Sequence, residues 1–139
     1  MTFEVIHEED AQVFDTLVAG VRQHNIEHIS AETSQPLSVV SRDEAGNIIG
    51  GVSGRTVYKN FLIGVLWVDK VARGTGLGRQ LMAVAEEEAK QRGCVVAQVD
   101  TLSVQAPQFY EKLGFDVVGR VPGFAGSPER FFMLKKYQG

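Results

Sequence analysis

The spacing of apolar positions changes several times along the chain, and each change predicts an element. Phe3 to Ile6 alternate as in a short strand. From Asp10, a residue suited to capping a helix, Val13, Phe14, Leu17, Val18 and Val21 recur three and four apart, which predicts an amphipathic helix. That pattern fades by His24, and HISAETSQP, ending at Pro36, reads as a loop. Two β-rich runs then flank the turn DEAGN, and a third follows the corner YKN and ends at Val68, so an antiparallel meander is expected. Gly50, Gly51 and Gly54 weaken its middle strand and point to a bulge or to close approach of another element.

After Val68 the period becomes helical. Leu77, Leu81, Met82, Ala85 and Ala89 share one face, Glu86, Glu87, Glu88 and Lys90 fall mostly on the solvent side, and Gly93 is placed to end the helix. CVVAQVDTL has the apolar run of a strand buried in mid-sheet, and APQFYEKLG gives a second short helix closed by Gly114. FDVVGRV and ERFFMLKKY are two final strands joined by the loop PGFAGSP. The strand–helix–strand unit from Phe61 to Asp100 predicts a right-handed parallel crossover. The expected fold is therefore α/β (α+β): about seven strands, mostly antiparallel, with helices on both faces, forming a single domain over residues 1–139.

Composition narrows the setting. A chain of 139 residues suffices for one domain with a real core. A net charge of −3 gives no electrostatic footprint for nucleic acid or anionic lipid, so an anionic ligand must be held by local geometry. The single cysteine, Cys94, excludes an internal disulfide and reads as a small core residue in a reducing, cytoplasmic protein. MTFEVIHEED lacks the pattern of a signal peptide, and the longest apolar run, Phe61 to Val68, is far too short to span a membrane.

The densest chemistry lies in LWVDKVARGTGLGRQL, where Gly74, Gly76 and Gly78 fall between a strand and a helix start. Such a turn offers free N–H groups and the positive end of a helix dipole, the elements of a phosphate cradle. A nucleotide P-loop needs G-x-x-x-x-G-K-[ST], which is absent. A Rossmann fingerprint needs its third glycine at position 79, where the chain has Arg79, although Asp100 would serve as its ribose-binding acid. Arg73-Gly74-Thr75-Gly76-Leu77-Gly78 instead resembles [QR]-x-x-G-x-[GA], the pyrophosphate loop of the GNAT superfamily of acyl-CoA-dependent N-acyltransferases. The lead-in LWVDKVARG and the downstream segment QAPQFYEKLGF resemble the same family at its spacing, while the first third of the chain matches only in outline.

The resemblance implies an N-acetyltransferase that passes the acetyl group of acetyl-CoA, as cosubstrate and without a metal, directly to a primary amine. It implies that the strand ending at Val68 and the next strand splay apart to admit the coenzyme. Leu66 and Val68 would then offer main-chain groups to the pantetheine and acyl carbonyl, the Val68 N–H serving as oxyanion donor. The backbone from Arg73 to Arg79 would hold the pyrophosphate. Tyr110 matches the family tyrosine that often faces the coenzyme sulfur, where as general acid it would give a proton or hydrogen bond to the departing thiolate. Ser103 stands where many relatives have asparagine three residues before the alanine, and Lys112 is in reach of the coenzyme's 3′-phosphate. The amine is expected to be a small molecule or a peptide or protein amine, and many relatives are homodimers. The different-class alternative is a GNAT-fold domain that binds acyl-CoA without transferring the acyl group, because Phe61 to Val68 carries no acid where family members often have one. Asp69 and Asp100, or ordered water, are the candidates for removing the amine proton.

Other features have plainer readings. His24-Asn25-Ile26-Glu27-His28 matches H-x-x-E-H, a metalloprotease pattern, yet it falls where the helical period fades, so a solvated helix end is expected and no metal. His24, Asn25 and His28 are instead candidates for the acceptor site, since the loop after the first helix serves there in the family. Trp67 and Phe124, the latter on a glycine-rich loop, are further acceptor-site candidates.

Overall fold

The computed structural model describes residues 1–29, 32–105 and 107–137. Two units divide the chain, Met1–Thr33 and Ser34–Gly139. The first is built on helix α1, Ala11–His28, whose start is fixed by the Asp10 carboxylate accepting the Val13 N–H at 3.1 Å. The helix extends to His28, four residues past the point where the apolar spacing fades. No glycine or proline interrupts Val21 to His28, so backbone hydrogen bonding carries on without an apolar stripe to mark it. Ser30 and Ala31, part of the expected loop, lie outside the described residues. Phe3 to Ile6 form no strand: Phe3 and Val5 are exposed and no partner strand pairs with them among the described residues. Alternation alone cannot supply a neighbour to hydrogen-bond with, and the sheet has six strands where about seven were expected.

In the second unit the meander is β1, Gln35–Arg42, β2, Ile48–Val57, and β3, Asn60–Val68. Helix α2, Leu77–Gln91, leads to β4, Val96–Leu102; helix α3, Pro107–Lys112, leads to β5, Asp116–Val121, and β6, Arg130–Lys136. The strand order is β1-β2-β3-β4-β6-β5, antiparallel throughout except for the parallel pair β3 and β4. This is the mixed α/β architecture expected from the period changes, with the crossover made by α2.

α2 packs across β1, β2 and β3 through Leu81, Met82, Ala85 and Ala89, all buried, against Leu37, Val52, Phe61 and Ile63. Each large side chain here, such as Phe61, Met82 or Met133, contributes roughly 1.5–3 kcal/mol by leaving water. Gly50 gives α2 its close approach, since a Cβ there would press within 3.1 Å of Leu77 and 3.2 Å of Leu81. One helix position departs from the sequence reading. Glu86 is buried rather than solvent-facing, with Lys135 Nζ 2.9 Å from its Oε2, pairing the charges without the alignment of a full hydrogen bond. The helical wheel places Glu86 beside the apolar stripe, and only β6 reveals the cation that lets it stay there.

Candidate active site

The site begins with an irregularity in β3. Its register against β2 shifts where Gly54 faces Ile63 and Ser53 faces Val65, leaving Gly64 as an extra residue. Gly54 is required at this bulge because a Cβ would collide with the carbonyl oxygen of Leu62. Pairing between β3 and β4 covers only Asn60 with Val96, Phe61 with Ala97 and Leu62 with Gln98. It stops one residue before the bulge, which bends β3 away from β4, and the two strands diverge beyond that point.

The opening is a cleft of about 630 Å³. Gly64, Val65, Leu66, Trp67 and Val68 line one wall; Val99, Asp100 and Thr101 of β4 line the other. Arg73 and Gly78 close one end, and Val104, Phe109 and Tyr110 contribute from the segment after β4. The Asp69 N–H bonds the carbonyl of Ile49 on β2 at 2.8 Å, so strand alternation turns the N–H and C=O groups of Leu66 and Val68 toward the unpaired, β4-facing side. The Val68 carbonyl accepts from Arg73 Nε at 3.1 Å, which leaves its N–H as a donor available to the cleft and anchors Arg73 at its end.

The glycine loop follows one turn of 3-10 helix, Lys70–Ala72. Gly74 and Gly76 have φ of 77° and 84°, left-handed values that side chains resist, and Gly76 caps α2 without a side chain of its own. The Thr75 hydroxyl donates to the Ala72 carbonyl and holds the turn. The first N–H groups of α2 have no intrahelical acceptor, so Leu77, Gly78 and Arg79 present donors at the positive end of the helix. Gly78 serves packing instead, because a Cβ there would press within 3.3 Å of the Phe109 ring and keep α3 from seating beside the loop.

Tyr110 is buried, with its ring edge-on to Phe109 and Phe115 at centroid distances of 5.2 and 5.6 Å. Burial, and secondarily the negative charge of Asp100, raise its phenol above the ordinary value. Asp100 is the only carboxylate among the described residues that line the cleft, and it is paired with Arg130 at 3.3 Å. Asp69 sits at the start of the 3-10 turn, outside the lining.

Several other expected positions lie elsewhere. Ser103 follows β4 with its N–H on the Glu129 carbonyl at 2.9 Å, and Val104 rather than Ser103 faces the cleft. Lys112, at the end of α3, is exposed and does not line the cleft; nor does Phe124, which is exposed in a tight turn closed by Ser127. Ala106, which anchors the downstream motif, lies outside the described residues. His24, Asn25 and His28 belong to the N-terminal unit, on the last turns of α1. Trp67 lines the cleft. The sequence reading passed over Gly64, Val65, Val99, Thr101, Val104 and Phe109. Gly64 carried a signal, a glycine inside an apolar strand, whereas the others acquire a role only when β4 and α3 come together.

A sheet opened between parallel strands, with a glycine-rich helix start at one end and a buried phenol alongside, has the features of an acyl-coenzyme site. The chain belongs to the acetyltransferase (GNAT) family, whose model matches residues 4–115. It is similar to the blasticidin-S acetyltransferase of Streptomyces morookaense, 37% identical over 107 residues that cover 74% of this chain and 79% of that one. It is also similar to acetyltransferase Atu2258 of Agrobacterium fabrum, 28% identical over 94% of this chain and 92% of the relative. The crystal structure of an acetyltransferase from Bacillus cereus superposes with a TM-score of 0.82 at 30% identity, covering 96% of this chain and 97% of that one. The protein is an acetyl-transferring enzyme, and acetyl-CoA is the donor its family uses. No described helix is long and apolar enough to cross a membrane.

Proposed function

We propose that residues 1–139 act as one N-acetyltransferase domain that transfers acetyl from acetyl-CoA directly to a primary amine of a small molecule. The observation that carries this reading is the divergence of β3 from β4 after Leu62, with unpaired backbone groups on β3 and the glycine loop at its end. Acetyl-CoA supplies an activated thioester carbonyl. The chain's residues do the rest. The N–H groups from Arg73 to Arg79 hold the pyrophosphate, where glycines allow close backbone approach. The Leu66 and Val68 backbone groups align the donor, and the Val68 N–H stabilises charge that develops on the carbonyl oxygen. As nitrogen bonds to the carbonyl carbon and the carbon–sulfur bond breaks, Tyr110 gives its proton to the leaving sulfur, and the proton shed by the new amide nitrogen restores the phenol.

The acceptor meets Val65 and Trp67 of β3 and Asp100 of β4, which line the same opening. Asp100 attracts a protonated amine and receives its proton directly or through water, which favours cationic acceptors. A small-molecule acceptor is also supported by similarity to an enzyme named for blasticidin-S. A cytoplasmic setting fits a chain with one cysteine, Cys94, which is buried.

Thiol release from acetyl-CoA across a panel of amines tests this reading. Turnover is expected for small cationic primary amines and not for matched alcohols. Saturable coenzyme binding with no turnover for any amine would exclude it.

A further inference from the structure

The last turn of α1 gathers two imidazoles and a carboxylate. His24, Glu27 and His28 are exposed, and one ligand atom from each lies within 4.8 Å of the others. Because α1 continues through His28, the two histidines stand one helical turn apart on the same side. Their rings stack with centroids 4.1 Å apart and an interplanar angle of 28°. His28 Nδ1 lies 2.8 Å from the His24 carbonyl oxygen, and since a carbonyl only accepts, Nδ1 carries the proton there. That bond fixes the tautomer and leaves Nε2 as the ring nitrogen of His28 with a lone pair to give, as outer partners do for ligating histidines.

We propose that His24, Glu27 and His28 form a binding site for a divalent transition metal of the zinc class. Two imidazoles and one carboxylate suit zinc, copper or nickel better than magnesium or calcium, which prefer oxygen donors. Tetrahedral zinc with bonds of about 2.0–2.1 Å brings its donor atoms to roughly 3.4 Å from one another. Exposed side chains close the remaining gap by small rotamer changes, with the helix backbone as a fixed frame. Among the described residues no further His, Cys, Asp or Glu joins the group, so water completes the coordination. Bound metal clasps one turn and stabilises the end of α1 by mass action, because the unfolded chain does not hold the three donors together.

The test is titration of the full chain with zinc chloride by calorimetry and with cobalt(II) by visible absorption. One site per chain is expected, with a gain in helical circular dichroism on metal addition. Since loss of even an outer-shell partner costs on the order of 10–100-fold in metal affinity, His24→Ala and His28→Ala should each cost at least that. Glu27→Gln should weaken binding less, and His7→Ala should leave it unchanged. Metal-free circular dichroism of each variant separates lost ligands from lost helix. Absence of saturable binding to the native chain would overturn the site. So would native affinity in the His24→Ala/His28→Ala double variant, in Glu27→Gln, or loss of binding in His7→Ala.

Discussion

A phenol in water loses its proton near pH 10, but Tyr110 is buried between Phe109 and Phe115 with Asp100 nearby, and both effects oppose ionisation. The group is therefore held in the form that donates. Tyr110→Phe keeps the ring packing and deletes only the proton, so turnover should fall about 10²-fold or more while acetyl-CoA affinity is preserved. Steady-state kinetics beside equilibrium binding would check this, and native turnover in the variant would remove the acid role. Tyr110 stood out in the sequence because it sits inside a segment with family spacing. Its environment was not legible there, since Asp100 is ten residues away and reaches it only through the fold.

At the level of elements, the glycine loop joins conformation to binding. Gly76 caps α2 with φ of 84°, so Gly76→Val imposes strain of about 1–2 kcal/mol and puts a branched side chain where the proposed pyrophosphate would approach. Acetyl-CoA affinity should drop at least tenfold, with a measurable fall in melting temperature. Unchanged affinity would show that the pyrophosphate sits elsewhere. The loop's neighbour, β3, teaches the complementary lesson. Gly50, Gly51 and Gly54 suggested a bulge or a close approach in β2, and the structure shows both, with Gly64 as the extra residue on the facing strand and α2 against Gly50. A strand's own sequence shows where pairing is weak, whereas the partner that fails to pair, here β4, is chosen by topology.

Across the whole molecule, buried phenols set an alkaline limit. Tyr110 is raised by burial and Asp100; Tyr137 is raised further, by burial first and then by the charge of Glu86. In the unfolded chain both ionise near their ordinary value of 10.0, while the folded chain keeps both protons beyond it. Above that pH the folded state therefore binds more protons than the unfolded one, and stability falls as pH rises. The melting temperature should hold up to about pH 10 and decline above it, and Tyr137→Phe should reduce the slope. An equal decline in that variant would assign the alkaline loss to other groups.

The sequence by itself determined the meander, the crossover helix, the glycine loop and the tyrosine beside it, because each is written in neighbouring residues through period, turn chemistry or motif. It misplaced Glu86, ended α1 too soon and gave Phe3 to Ile6 a strand. Those outcomes depend on partners remote in the chain, or on the absence of a breaker, and apolar spacing records neither. The opening of β3 from β4, with Leu66 and Val68 turned toward it, was implied only by family resemblance; the tertiary structure supplies its cause, the bulge at Gly64, and sets Phe109 against Gly78. The physical reason is that a cleft consists of the space between elements, and local sequence specifies each element without specifying the distance to the next.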